Sequence, residues 1–554
     1  MPSLPAGAPD PPLETSEAAP DAPAGDEPAP PSGLFARFLA GVEWLGNLLP
    51  HPVTLFALFA LGVVLASGVA GWLGLSVPDP RPEGAAGRSA DGVIRAVSLM
   101  NGEGLRRVVE GLVTNFTSFV PLGTVLVALL GVGVAEASGL ISAAIRGLVL
   151  RAPKNLITVA VVFGGVISNT ASEMGYVVLV PLAAVIFYSL GRHPLAGLAA
   201  AFAGVSGGYS ANLLIGTVDP LLAGITEEAA RLIDPAYEVH AAVNWYFMIV
   251  STFLITGLGT LVTTRIVEPR LGRYDDRYAD EAARDTSSMA PLTDAERRGL
   301  RWAGVSALAV AAVVALLVVP AWGPLRTPEA TDTIAALGPF LRGIVAIIFV
   351  FFLVPGIVYG RVTGSMKTDR DVIEGMSSAM SSLGLYIVLV FFAAQFVAFF
   401  GWTNLGAILA VAGADLLETL RLTGPLVFIP FILMCCFVNL MLGSASAQWA
   451  VTAPIFVPML MLVGFSPEVI QAAYRIGDST TNIITPMMSY FGLILAFAAR
   501  YDRRLGIGTI VATMLPYTLA FIVGWIVLFY VWVFGLGLPV GPAAPTYYVP
   551  TTLP

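Results

Sequence analysis

Three ionisable residues, Glu173, Arg475 and Asp478, fall inside otherwise apolar stretches of this chain. A charge placed in hydrocarbon costs at least about 2.5–3.5 kcal/mol on insertion scales, so each is a functional candidate by default. Arg475 and Asp478 stand i, i+3 on one helical turn and can pair with each other. Arg475 can equally hold a carboxylate in a bidentate fork. Glu173 has no sequence-local partner; it can bind a cation, carry a proton or receive a substrate amine. Trp449 offers a ring that either stacks on an aromatic ligand or packs in the core.

These residues sit in small, polar interruptions that come twice. Ser168-Asn169-Thr170-Ala171-Ser172-Glu173 breaks one apolar run. A second break follows at Gly204-Val205-Ser206-Gly207-Gly208-Tyr209-Ser210-Ala211-Asn212 and continues to Gly216-Thr217-Val218-Asp219-Pro220. Later, Asn439 precedes Gly443-Ser444-Ala445-Ser446-Ala447-Gln448-Trp449. Then comes Arg475-Ile476-Gly477-Asp478-Ser479-Thr480-Thr481-Asn482, closed at Thr485-Pro486. In lipid, irregular backbone survives only where protein or a water-filled cavity surrounds it. Matching interruptions in two halves point to the binding site of a carrier. The reading is a re-entrant hairpin plus a discontinuous helix in each half. Hairpin tips and unwound turns expose carbonyl, Ser, Thr and Asn oxygens, the all-oxygen shell a hard cation such as Na⁺ needs. Half-helix N-termini suit an anionic substrate. Small residues at helix–helix contacts are the structural alternative.

The elements that must position these residues follow from composition. The chain has 554 residues, 56% hydrophobic and 12% charged, with mean hydropathy +0.81. A soluble globular protein carries about 25% charged residues, so a soluble multidomain enzyme is excluded. A net charge of −8 offers no basic stripe for nucleic acid. A membrane helix needs about 20 mostly apolar residues. Clear spans are 52–75, 118–137, 243–265, 299–322, 336–360, 378–400, 424–442 and 505–535, with interrupted apolar regions at 139–190, 194–225 and 443–499.

Basic loops set the orientation. The linker from Arg265 to Arg301, the loop with Arg361, Lys367 and Arg370, and the loop with Arg500, Arg503 and Arg504 are cytoplasmic by the positive-inside rule. The connection 226–242, with Glu227, Glu228, Asp234 and Glu238 against Arg231, then faces outside. The chain divides into an acidic Pro/Ala-rich disordered tail (1–35), a first membrane half (36–265) and a charged linker (266–298). A second half (299–535) and a terminal tail (536–554) follow. The first hairpin is expected near 155–190 and the second near 435–465. Leu105, Val108, Val109, Leu112, Val113 and Phe116 form one apolar helical face, which lies along the outer interface or packs on the protein's own surface.

Other chemistries find little support. Cys435 and Cys436 are adjacent in an apolar run and read as small core residues. His51, His193 and His240 are scattered near span ends, so no metal centre is suggested. Gly204-Val205-Ser206-Gly207 fits the G-x-S-G pattern of rhomboid proteases, but no His lies mid-membrane to serve as base. Arg475-Ile476-Gly477-Asp478 departs from the G-x-G-D of intramembrane aspartyl proteases at its first position.

At 168–184 (SNTASEMGYVVLVPLAA), 443–459 (GSASAQWAVTAPIFVPM) and 466–491 (SPEVIQAAYRIGDSTTNIITPMMSYF) the sequence resembles the AbgT family of p-aminobenzoyl-glutamate transporters and antimetabolite exporters. The resemblance covers residues 35–535 and implies an all-α polytopic membrane protein. About nine transmembrane helices, two re-entrant hairpins, an inverted repeat with discontinuous helices and a homodimer are expected. Carried over by motif, the substrate-binding positions are Asn439, Ser446, Trp449, Pro467, Arg475, Asp478 and Pro486. Glu173 stands where the family has Asp, one methylene longer at the same charge. The hairpin tips also resemble those of sodium–dicarboxylate carriers. This implies Na⁺ near Ser168, Asn169, Thr170 and Ser444, with Gly207, Asn212 and Asn482 facing them. The expected function is secondary active transport of p-aminobenzoyl-glutamate or sulfonamide-type folate antimetabolites by ion-coupled alternating access. No cofactor is expected beyond Na⁺ or H⁺, no enzymatic activity, and a bacterial inner-membrane location with the N-terminus cytoplasmic. A sodium-coupled dicarboxylate carrier is the alternative and an intramembrane protease a remote one.

Overall fold

The structure, a computed structural model, describes residues 50–550 apart from 86–87, 172–173, 276, 278, 280–290, 329 and 331–335. The acidic tail and Glu173 therefore lie outside the described residues. In the first half, α1 (Pro52–Trp72) leads through a two-stranded ribbon, β1 (Ser76–Pro78) and β2 (Val93–Arg95), to α2 (Gly102–Thr117) and α3 (Val120–Ala137). Next come α4 (Leu140–Leu150), α5 (Ile157–Ser168), α6 (Val180–Ser189), α7 (Pro194–Phe202), α8 (Val218–Ala230) and α9 (Trp245–Val262). The second half holds α10 (Asp294–Val318), α11 (Ile344–Thr363), α12 (Asp369–Ser382), α13 (Gly384–Trp402) and α14 (Leu405–Thr419). It closes with α15 (Phe428–Leu442), α16 (Ala445–Leu462), α17 (Pro467–Thr480), α18 (Phe491–Ala499) and α19 (Ile507–Phe529).

Hydrogen bonds at the feet of the hairpins fix their direction. At the base of α5/α6, Arg192 Nη1 donates to Thr158 Oγ1 (2.9 Å), and the same guanidinium pairs with Glu268 of the charged linker at 2.6 Å. The α5/α6 hairpin thus enters and leaves at the end of the bundle that carries the linker. At the base of α15/α16, the Phe428 and Phe465 rings meet at 4.8 Å and Ser466 N–H donates to Thr546 O of the terminal tail. This hairpin opens to the opposite end. The two broken crossings, α7–α8 and α17–α18, follow their hairpins in the same inverted sense. Nine helices among the described residues are long and apolar enough to cross a membrane. Two of these, Pro425–Leu442 and Ala445–Leu462, are hairpin arms; the broken crossings α7–α8 and α17–α18 replace them. Among the described residues the expected count of about nine spans with two hairpins holds.

The basic loops gather at one end. Tyr274 OH in the linker donates to Tyr501 O (2.9 Å) beside the third loop, and Arg146 pairs with Glu296. At the other end, Arg81 donates to Ile233 O (2.8 Å) and Arg342 lies 3.5 Å from Glu238. The apolar face of α2 takes a part in both expected roles. Its Asn115 donates to Gln395 Oε1 (2.9 Å) and Arg107 lies over the Trp402 ring, while Leu105, Val109 and Val113 stay exposed. α2 carries Glu103, Arg106, Arg107 and Glu110 and is separated from α3 by a short break at Ser118 and Phe119.

Two glycine positions permit this packing. Gly443, at φ +54°, closes α15 in the left-handed conformation, and an added Cβ would lie 2.8 Å from Met487 O. Gly165 of α5 abuts the turn after α7, where a Cβ would lie 2.9 Å from Gly204 Cα and 2.9 Å from Val205 N. Backbone cannot retreat as a flexible side chain does, and overpacking costs about 1–3 kcal/mol. Gly165→Val is therefore expected to lower the melting temperature of the detergent-purified protein by several degrees. Gly257→Ala, with nothing within 4 Å, is expected to leave it unchanged; equal melting of the two variants would contradict this hairpin–helix contact.

Candidate functional site

The breaks converge at mid-protein. Asp219 opens α8 and Arg475 lies in α17, and their side chains meet at 2.6 Å (Arg475 Nη2 to Asp219 Oδ1), each only 3% exposed. Gly216 N–H also donates to Asp219 Oδ2 (2.7 Å). A carboxylate at a helix N-terminus answers free N–H groups and the positive dipole end. The anion site expected at this half-helix is thus filled by the protein's own Asp219. The i, i+3 pairing of Arg475 with Asp478 does not form. Arg475 reaches across to the first half, and both Asp478 carboxylate oxygens are buried with no hydrogen-bond partner.

Each hairpin tip is tied to the break that follows it. In the first half, Thr170 Oγ1 donates to Asn212 Oδ1 (2.7 Å) and Asn169 Nδ2 to Gly208 O (3.4 Å). Ser168 Oγ turns back to Gly165 O (2.6 Å). In the second half, Asn439 Nδ2 donates to Asn482 Oδ1 (2.8 Å) and to Asp478 O (2.6 Å). The two asparagine amide oxygens, Asn212 and Asn482, occupy equivalent places in the inverted halves. Gly207 belongs to a wide π-helical turn, Ala203–Gly207, packed towards Phe521 and Ile483.

Trp449 lies away from any opening. Its ring is wholly buried, stacks on Tyr474 at 4.2 Å, and its Nε1 donates to Thr226 Oγ1 (2.9 Å). Thr226 in turn binds Gln471 Oε1 (2.6 Å), and Gln471 Nε2 donates to Asn244 Oδ1 (2.8 Å). A ligand ring cannot stack on Trp449 in this conformation, so its observed role is to tie the second hairpin to α8 and α17. Pro467 is the first residue of α17 and is buried, while Pro486 is half-buried beyond the second break.

The cavity at the centre, 170 Å³, joins the two halves. Its lining includes Ser444, Ser446 and Asn482 together with Tyr176, Tyr209 and Tyr490. Ser444 caps α16 without a side-chain hydrogen bond, so the first N–H groups of that helix are open near the tip. Of the residues named from sequence, Ser444, Ser446 and Asn482 share this space. Arg475, Asp219, Asn439 and Asp478 lie in the buried layer behind it. Asp219 is the residue that sequence reasoning passed over as a site. Its signal was an acid in the first turn after an intramembrane break. Tyr176 and Tyr490 carried no spacing signal at all.

The profile of the AbgT putative transporter family matches residues 37–548. The p-aminobenzoyl-glutamate transport protein of Escherichia coli strain K12 is 37% identical over 514 residues, covering 93% of this chain and 97% of that protein. MtrF of Neisseria gonorrhoeae, described with a class of antimetabolite efflux pumps, has 60% identity and a TM-score of 0.86. That match covers 92% of this chain and 100% of MtrF. The YdaH transporter of Alcanivorax borkumensis superposes with a TM-score of 0.81 at 47% identity, over 89% of this chain and 100% of YdaH.

Removing one member of a buried ion pair strands the other charge, at a cost of about 3–5 kcal/mol, whereas replacing both can be nearly neutral. Asp219→Leu alone is expected to destabilise the protein strongly. Adding Arg475→Met should restore much of the thermal stability without restoring function. Equal melting temperatures for the single and double variants would show that the pair does not form.

Proposed function

The chain belongs to the AbgT family of multi-pass membrane transporters, and from that premise we propose that it moves p-aminobenzoyl-glutamate and sulfonamide-type folate antimetabolites by ion-coupled alternating access. The observation that carries this reading is that the second hairpin tip and both helix breaks meet at one cavity, with a buried ion pair joining the two breaks. In that arrangement oxygens, N–H groups and opposite charges face each other from the two inverted halves. A carrier needs a site that either half can uncover, and a site built jointly by inverted repeats meets that need.

In this mechanism a substrate carboxylate competes with Asp219 for the Arg475 guanidinium. Binding then loosens the contact that holds α8 against α17. Asp478, buried and without a donor to its oxygens, takes the coupling proton, or a cation held with oxygens of the tips. Ser168, Asn169, Thr170, Asn212, Ser444 and Asn482 supply such oxygens in symmetric pairs. Glu173 is assigned to the same coupling role from the sequence. We further assign a homodimer in the bacterial inner membrane, with the start of the chain cytoplasmic, from the family resemblance and the basic loops.

Protein reconstituted in liposomes should accumulate or release labelled p-aminobenzoyl-glutamate under an imposed gradient, with Na⁺ and pH varied independently to identify the ion. Arg475→Lys keeps a charge but loses the fork, and is expected to raise KM at least about tenfold. Asp478→Asn should abolish the response to the driving gradient while leaving substrate exchange. Transport by a folded Arg475→Lys protein that matches the wild type would remove Arg475 from binding. Competition by succinate and not by sulfonamides would turn the reading to a dicarboxylate carrier.

A further inference from the structure

With Trp449 enclosed, the ring of an aromatic substrate needs another partner, and the central cavity supplies one. Tyr176 follows the first hairpin tip and Tyr490 follows the second break. Their rings lie face to face, with centroids 4.6 Å apart and planes within 3°. Tyr176 is 3% exposed and is backed edge-on by Phe202 at 6.5 Å. Tyr490 is half-buried and lines the cavity. A flat ring held against a rigid second ring loses little freedom when a third stacks upon it. The cavity volume of 170 Å³ leaves room for about one six-membered ring, since benzene fits a cavity of about 150 Å³, and its lining sets tyrosine rings beside serine and asparagine polar groups. The serine oxygens of the second tip, Ser444 and Ser446, stand in the same space, where polar substituents of such a ring find partners.

We propose that Tyr490, held flat against Tyr176, is the residue that selects an aromatic substrate by stacking on its ring. This rests on the transport reading above and names the part of the site that recognises the ring. Ring–ring stacking beyond buried area corresponds to roughly three- to tenfold in affinity. Tyr490 and Tyr176 come from opposite halves, so the stacked pair exists only while the first hairpin and the second break lie together. Substrate recognition is thereby coupled to one arrangement of the two halves.

The test uses the full-length protein in liposomes with labelled p-aminobenzoyl-glutamate. Tyr490→Phe keeps the ring and should stay within about twofold of wild type. Tyr490→Leu should raise KM roughly three- to tenfold with kcat little changed, and Tyr176→Leu should do the same more weakly. An unchanged KM in Tyr490→Leu, or a fall confined to kcat, overturns the stacking role while wild-type transport stands. Failure of the wild type itself to transport the compound overturns the functional reading and the stacking role together. Should Tyr490→Leu not fold, Tyr490→Trp places an indole at the cavity wall. Saturable quenching of its added emission by p-aminobenzoyl-glutamate supports the proposal, and no change in emission refutes it.

Discussion

The Asp219–Arg475 pair is the contact on which the central arrangement depends. Two charges taken out of water into a low-dielectric interior lose several kcal/mol of solvation each, and only close geometry with further hydrogen bonds offsets that loss. Here Asp219 gains the Gly216 N–H and the N-terminal end of α8, and Arg475 reaches it at 2.6 Å. The pair joins residues 256 apart in sequence, one from each inverted half. An apolar contact in its place would hold the halves equally well but would not answer a charged ligand. A charge pair can be exchanged: in the proposed mechanism an incoming carboxylate takes the place of Asp219 at Arg475, and the displaced Asp219 keeps the Gly216 N–H and the N-terminal end of α8.

Around that pair the fold solves a problem that lipid imposes. Every backbone group in the hydrocarbon layer must find a partner within the protein. The tips and breaks leave several of them outside helical ladders, and side chains of the same half close most of the gaps. Thr170 answers Asn212 in the first half and Asn439 answers Asn482 in the second. Thr485 Oγ1 caps Leu440 O at 2.7 Å, and Tyr474 OH caps Ala445 O at 2.6 Å. Each hairpin is therefore fastened to its own broken helix first. Contacts between the halves at the centre include the ion pair, the Ser210 N–H to Ser479 Oγ bond at 3.1 Å, the Trp449–Thr226–Gln471 chain and the Tyr176–Tyr490 stack.

The architecture was legible in the sequence because lipid makes composition speak. Long apolar runs, basic loops and paired polar interruptions each have one physical meaning in a membrane, and hairpins and broken crossings stand where those signals placed them. Contacts between elements were less legible. The i, i+3 spacing of Arg475 and Asp478 offered a local partner, yet the buried guanidinium found a better one at the start of α8, where a helix dipole already stabilised an acid. Trp449 shows the same limit. Its place at a hairpin tip left a ligand-stacking ring and a packed one equally open, and the fold takes the second: one turn along α16 the side chain meets Tyr474 and Thr226 and is sealed. Nothing in spacing brings Tyr176 and Tyr490 together, since they meet only after the two halves fold over each other.

The placement of the ion pair and the tyrosine stack between the halves suits a carrier. Alternating access requires that one set of contacts persist while another is exchanged, and the exchanged set must include the ligand's own partners. The ion pair and the tyrosine stack both lie between halves and both have the chemistry of the proposed substrate, a carboxylate and an aromatic ring. In the proposed mechanism a molecule carrying both groups engages both sites at once, its carboxylate at Arg475 and its ring upon the Tyr490 face of the intact stack. One carrying only a carboxylate would release the charge contact without the added hold of the stacked ring. Selectivity for aromatic acids would then arise from the need to engage both places together.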